Sequence, residues 1–118
     1  VKDERSIMIM KLLIAIVQDE DAGELMQEFT KHKFQFTKLA TTGGFLRAGN
    51  TTLIMGMEDK RLNECINCID DICKSRKQMI TPPIMGGAGE VYLPSYPIEI
   101  TIGGATVFVM NMEQCLKI

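Results

Sequence analysis

Leu12-Leu13-Ile14-Ala15-Ile16-Val17 is an unbroken apolar run, too short to cross a bilayer and of strand length. A strand that is apolar at both sets of alternating positions must be covered on both faces, so this run predicts the central strand of a sheet. The next segment sets the class. Asp19 and Asp21 offer N-caps to a stretch in which Ala22, Leu25, Met26 and Phe29 share one face, while Glu24, Gln27, Glu28 and Lys31 share the other, the pattern of an amphipathic helix. Phe34 to Thr41 then alternates, Phe34 and Phe36 opposite Gln35 and Thr37, and predicts a second strand ending at Thr42-Gly43-Gly44.

Further along, Thr51 to Met57 predicts a third strand, and Asp59 offers a cap to a second helix running to about Ser75 with Leu62, Ile66, Ile69 and Cys73 inward. A fourth strand near Gln78-Met79-Ile80 completes a βαββαβ unit. The expected class is α+β, a ferredoxin-like arrangement of four antiparallel strands with two helices on one face and right-handed crossovers. From Thr81-Pro82-Pro83 through Gly86-Gly87-Ala88-Gly89 to Pro94-Ser95-Tyr96-Pro97 the composition forbids regular structure and predicts a long functional loop. Ile98 to Ile102 and Ala105 to Met110 alternate across Gly103-Gly104 and read as an extra C-terminal β-hairpin.

The chain has 118 residues and is 46% hydrophobic, enough for one core and too little for two ordinary domains. The expected division is an extension over residues 1–9, poorly ordered and ahead of a natural start near Met10, and one domain over 10–118. A net charge of −2 provides no global positive field for a nucleic-acid backbone or an anionic membrane. With no spanning run and no basic-apolar-small order at Val1 to Ser6, the expectation is a soluble, cytoplasmic protein that inserts in no membrane and binds no nucleic acid.

Four cysteines raise a metal or redox question, because Cys65-x-x-Cys68 has a spacing that zinc sites use. Cys65, Ile66, Ile69, Ile72 and Cys73 nevertheless fall at helical spacing behind Leu62, where small apolar thiols pack, and the single histidine, His32, lies in another element. No metal site is expected. Nor is a catalytic one: His32 reads as a solvated residue among lysines, the carboxylate pairs Asp19 with Asp21 and Glu58 with Asp59 precede helices where they cap, and no Walker A loop or dinucleotide fingerprint is present.

The informative stretch runs from Thr37 to Thr52: a strand end, consecutive glycines Gly43-Gly44, the aromatic Phe45, and Asn50 behind Gly49. Glycines let main-chain N–H groups converge on phosphate oxygens, Thr37 adds a hydroxyl donor, Phe45 can stack on a base, and an asparagine amide matches the donor and acceptor edge of adenine. The same stretch also reads as a surface loop whose glycines merely turn the chain and whose Phe45 packs on a neighbouring subunit.

Met10 to Asp19, Thr37 to Thr52, Met85-Gly86-Gly87 and Gly103 to Val109 together resemble the PII-like cyclic-di-AMP receptor proteins of Gram-positive bacteria, over essentially Met10 to Gln114. The resemblance implies a homotrimer of ferredoxin-like subunits, with one cyclic-di-AMP in each inter-subunit cleft. It further implies a non-enzymatic signalling role in which ligand reshapes the loops around Gly43 to Asn50 and Thr81 to Pro97 and a downstream protein reads the change. Carried over by position, it makes Thr37, Gly44, Phe45 and Leu46 the residues that hold phosphate or pack the ligand, and Asn50 and Gly56 those that read an adenine. Ligand aside, no cofactor is implied. The family often carries arginine where this chain has Gln35, so a guanidinium that could stack or reach phosphate is missing. Two other readings share the architecture: a PII-type receptor for ATP or another adenine nucleotide, and a metal-binding trimer like the CutA proteins.

Overall fold

The computed structural model describes residues 9–39, 49–81 and 96–118. In chain order its elements are β1 (Met10–Gln18), α1 (Asp19–Lys31), β2 (Thr37–Leu39), β3 (Asn50–Glu58), a 3-10 turn (Asp59–Arg61), α2 (Leu62–Cys73), β4 (Arg76–Ile80), β5 (Ile98–Ile102) and β6 (Ala105–Met112). Residues 1–8 of the expected extension, the turn at Gly43-Gly44 with Phe45 and Leu46, and the long loop around Gly86 to Pro94 lie outside the described residues.

β1 is hydrogen-bonded on both edges, to β3 with Ile14 opposite Ile54 and to β6 with Ile14 opposite Phe108. The sheet order is β2-β3-β1-β6, antiparallel throughout. This four-stranded sheet with its two helices is compatible with the ferredoxin-like plan. Strand alternation decides the core: Leu13, Ala15 and Val17 of β1 and Leu53, Met55 and Met57 of β3 are buried, in one cluster with Leu25 and Phe29 of α1 and Cys65, Ile69 and Cys73 of α2. Phe29 is the central plug, edge-on to Phe34 at 5.8 Å and tilted against Phe36 at 6.0 Å. Truncating such a side chain costs about 3–5 kcal/mol.

Two expectations about strand pairing are corrected. The segment at Gln78-Met79-Ile80 does form a strand, but β4 does not join the main sheet; it pairs with β5, Gln78 opposite Ile100, in a separate two-stranded ribbon. Ile98 to Met110 is accordingly not a hairpin, since β5 belongs to the ribbon and β6 supplies the sheet's outer strand beside β1. The glycine pair makes the transfer. Gly103 and Gly104 have φ of +81° and +93°, the Gly103 N–H donates to Gln18 Oε1 at 2.8 Å, and the Gly104 N–H donates to the Cys73 carbonyl. These bonds tie the switch to the end of β1 and the end of α2, so the chain changes sheets there instead of folding back on itself.

The helix starts also differ from expectation. Asp19 is the first helical residue of α1 and Gln18 its N-cap, without a side-chain capping bond. Asp59 opens the 3-10 turn, and α2 begins only at Leu62. Asp19, Glu20 and Asp21 still fill the first turn of α1, where the positive end of the helix dipole favours them. β2 begins at Thr37 and not at Phe34, because the Phe34 N–H donates to the Phe29 carbonyl at 2.8 Å and its ring turns back into the core. Among the described residues no helix is long and apolar enough to cross a membrane.

Candidate functional site

Among the described residues the four-stranded sheet has one face under the helices and one without them, and strand parity assigns every strand residue to one or the other. On β3 the odd positions 51, 53, 55 and 57 are buried, so Asn50, Thr52, Ile54 and Gly56 share the opposite face. Thr37 pairs with Ile54 and Leu39 with Thr52, which brings both to that face too. Three sequence-predicted residues, Thr37, Asn50 and Gly56, are thus gathered on the helix-free face along β2 and β3. Gly44, Phe45 and Leu46 lie outside the described residues.

Spacing along the strand separates two of them. Six residues of extended chain separate Asn50 from Gly56, about 20 Å at the usual strand rise, so within one protomer the two cannot grip the same purine. Thr37, level with Ile54, stands much nearer Gly56. Gly56 is exposed, and a Cβ there would come 3.1 Å from the flexible Met112 Cε. Asn50 is half-buried and opposite Gln18; next to it, the Gly49 carbonyl accepts from the Asp19 N–H at 3.0 Å and the Thr51 hydroxyl donates to Asp19 Oδ1 at 2.6 Å. The strand end that presents Asn50 is therefore pinned to the start of α1. Gln35 is exposed, and its side-chain oxygen accepts a hydrogen bond from Lys117 Nζ.

The same face carries an apolar strip. Leu12, Ile14 and Ile16 of β1 are half-buried there, and Phe108 and Met110, opposite Ile14 and Leu12, are 51% and 44% exposed. Large apolar side chains in one contiguous patch mark a contact surface more often than a solvated one.

On the helix side the structure joins residues that their sequence positions separate. His32, expected to be solvated among lysines, follows α1 and binds two carboxylates: Nδ1 is 2.7 Å from Glu64 Oε2 and Nε2 is 3.1 Å from Glu28 Oε2. Arg61 holds Glu64 at 3.2 Å, donates to the His32 carbonyl at 2.6 Å, and lies 3.9 Å above the Phe34 ring. Hydrogen bonding to Glu64 and then Glu28 raises the His32 pKa above its ordinary value, and hydrogen bonds from Arg61 and His32 lower that of Glu64. Glu28, His32 and Cys68 offer ligand atoms that all lie within 4.8 Å of one another. The signal missed in the sequence was a pair of i, i+4 spacings, Glu28 with His32 and Glu64 with Cys68, each placing two polar groups on one side of its segment.

The cysteines divide. Cys65 is fully buried with its Sγ 3.8 Å from Met55 Sδ, and burial pushes its thiol up to about 12. Burial likewise takes Cys73 to about 11 and raises Cys68, the latter with help from Glu28. Of Cys65 and Cys68, the latter is the one whose Sγ lies beside Glu28 and His32. The carboxylate pairs serve structure: Asp21 is 5% exposed and takes Arg76 at 2.8 and 3.4 Å, while Asp59 and Glu58 meet Lys11 and Lys60.

A crystal structure of a functionally unknown protein from Pediococcus pentosaceus ATCC 25745 is similar at 40% identity and a TM-score of 0.75, covering 94% of this chain and 99% of that one. The family model described as cyclic-di-AMP receptor matches residues 10–118. With that match spanning the sheet, both helices and the three gathered residues, the chain belongs to the cyclic-di-AMP receptor family.

Proposed function

We propose that the chain is a non-catalytic cyclic-di-AMP sensor of the cytoplasm that works as a homotrimer, binds the dinucleotide in clefts between subunits, and passes its state to a downstream protein. The observation that carries this reading, beside family membership, is the convergence of Thr37, Asn50 and Gly56 on the one sheet face that helices leave open. The exposed Phe108 and Met110 on that face supply the apolar contact through which copies associate. Because Asn50 and Gly56 are about 20 Å apart along β3, the two read one adenine by coming from the two subunits that form a cleft, with Thr37 toward phosphate. Gly44, Phe45 and Leu46 complete the pocket in this reading. The arginine that Gln35 replaces is offset by Lys117, whose ammonium is bonded to the Gln35 amide. A lysine supplies charge there without the planar fork of a guanidinium.

Magnitudes permit a useful sensor. Micromolar binding needs about −8 kcal/mol, within reach of a few charge-assisted hydrogen bonds at about 1.5–3 kcal/mol each and two partly buried purines after association costs. The test is calorimetry with cyclic-di-AMP, with ATP as competitor, alongside light scattering for the oligomeric state. Cyclic-di-AMP gives heat that ATP does not displace. Asn50→Ala weakens it by about 5- to 150-fold, the equivalent of one bidentate adenine contact, and Lys117→Ala weakens it by less. A monomer in solution, or no heat and no melting shift with cyclic-di-AMP, refutes the proposal.

A further inference from the structure

Between α1 and α2 runs an open groove of about 630 Å³, lined by Glu24, Glu28, His32, Glu64, Cys68 and Asp71 among others. It lies on the opposite side of the sheet from Thr37, Asn50 and Gly56, and the nucleotide site proposed above does not include it. We propose that this groove holds a divalent transition-metal ion, zinc foremost, with Glu28, His32 Nε2 and Cys68 Sγ as ligands and Glu64 as the carboxylate that orients the histidine.

Three observations support the assignment independently. The donor set combines thiol, imidazole and carboxylate, the mixture zinc accepts, and its atoms already lie within 4.8 Å of one another. Ligands of a tetrahedral zinc stand about 3.5 Å apart given the usual bond lengths, so closure asks for movements of about 1 Å, within the reach of a glutamate side chain. The supporting shell is in place before any ion arrives. Nδ1 of His32 is committed to Glu64 at 2.7 Å, which leaves Nε2 toward Glu28, and Arg61 fixes Glu64 in turn at 3.2 Å. A carboxylate on the far nitrogen is how metal-bound histidines are usually held. Lastly, four carboxylates border the groove, a field complementary to a cation. Three protein ligands leave a fourth position open to the groove for water.

The competing account is a purely structural ion cluster joining the two helices, and the two differ in what cobalt reports. The full chain, stripped with a chelator and freed of it, is titrated with cobalt(II) and then zinc(II). One equivalent of cobalt produces a thiolate-to-metal charge-transfer band and the visible bands of a four-coordinate site, both abolished by zinc. Cys68→Ser removes the charge-transfer band, His32→Gln removes saturable binding, and Glu64→Gln weakens affinity by about 10- to 100-fold. Cys115→Ser, at the exposed thiol outside the groove, leaves the band intact. Circular dichroism in chelator establishes that each variant is folded, and Cys68→Ala replaces Cys68→Ser if the latter is not. Absence of the band at one equivalent, its survival in the folded Cys68 variant, or its loss with Cys115→Ser overturns the assignment.

Discussion

Replacing Gly103 by alanine tests the sheet-switching role of the glycine pair, and two other glycines provide internal controls. At Gly103 an alanine meets two penalties. A φ of +81° costs an L-residue about 1–2 kcal/mol, and the new Cβ would lie 2.6 Å from Arg76 Nη1, 2.7 Å from the Lys74 carbonyl oxygen and 3.1 Å from that of Cys73. The last two are backbone atoms at the end of α2 and cannot swing aside, while Arg76 is held by Asp21. Allowing about 0.4–1 kcal/mol in the other direction for the stiffer unfolded chain and about 1–3 kcal/mol for the overlap, the net loss is about 2–4 kcal/mol. Gly104 shares the backbone conformation, with φ +93°, but its Cβ would meet only Ser75 Cβ at 4.0 Å, so Gly104→Ala loses about 0.5–1.5 kcal/mol. Gly23, inside α1 with nothing within 4 Å, gains about 0.5–1 kcal/mol as alanine. For a chain of this size 1 kcal/mol moves the melting point by about 4 °C. Thermal unfolding at fixed protomer concentration should therefore show Gly103→Ala down by about 8–16 °C, Gly104→Ala down by about 2–6 °C, and Gly23→Ala up by about 2–4 °C. Equal losses at Gly103 and Gly104 would refute the steric argument, since backbone strain alone would then explain both.

Removing the Arg76 side chain strands the buried Asp21 carboxylate. Arg76→Ala therefore lowers the urea midpoint. A coupling near zero in the cycle with Asp21→Asn would count against it. Thiol labelling of the native protein in chelator modifies Cys115 quickly and spares Cys65, Cys68 and Cys73, which are buried and, as thiols, held protonated; immediate reaction of three or four thiols would contradict the packing. The raised His32 pKa makes stability pH-dependent. The contribution of its imidazolium is fully present below the unfolded value of about 6.5 and disappears as pH rises through the higher folded value. In chelator, the guanidinium midpoint of the wild type should fall across that window while His32→Gln stays flatter; parallel curves would remove the linkage.

Sheet and helices were legible because their signals are local: Leu12 to Val17 announces a central strand, and the faces of 19–31 and 62–73 announce amphipathic helices. Pairing was not. Gly103-Gly104 between two alternating runs is a strong hairpin signal, and no local feature says that β5 has its partners 18 to 26 residues back or that β1 has a vacant edge that β6 fits in register. Capping was misjudged for a related reason: an aspartate before an apolar face can occupy the first helical turn as readily as the cap, and Asp19 was claimed by Thr51. Of the candidate nucleotide residues, Thr37 and Asn50 are suggested by their chemistry and Gly56 by the family resemblance alone, and strand parity was needed to place the three on a common face. The groove cluster was hidden because His32 and Cys68 lie 36 positions apart and meet only when two helices pack.

The pairing of β1 with β6 joins Leu13 to Val109, 96 positions further along the chain. During synthesis, then, β1 has one edge that stays bare until β6, nearly a hundred residues further on, has left the ribosome. A loop of that size closes slowly, and an unmatched apolar edge is prone to unwanted partners meanwhile. A nascent fragment ending before β6 consequently presents its central strand with one neighbour missing, the kind of surface that chaperones bind.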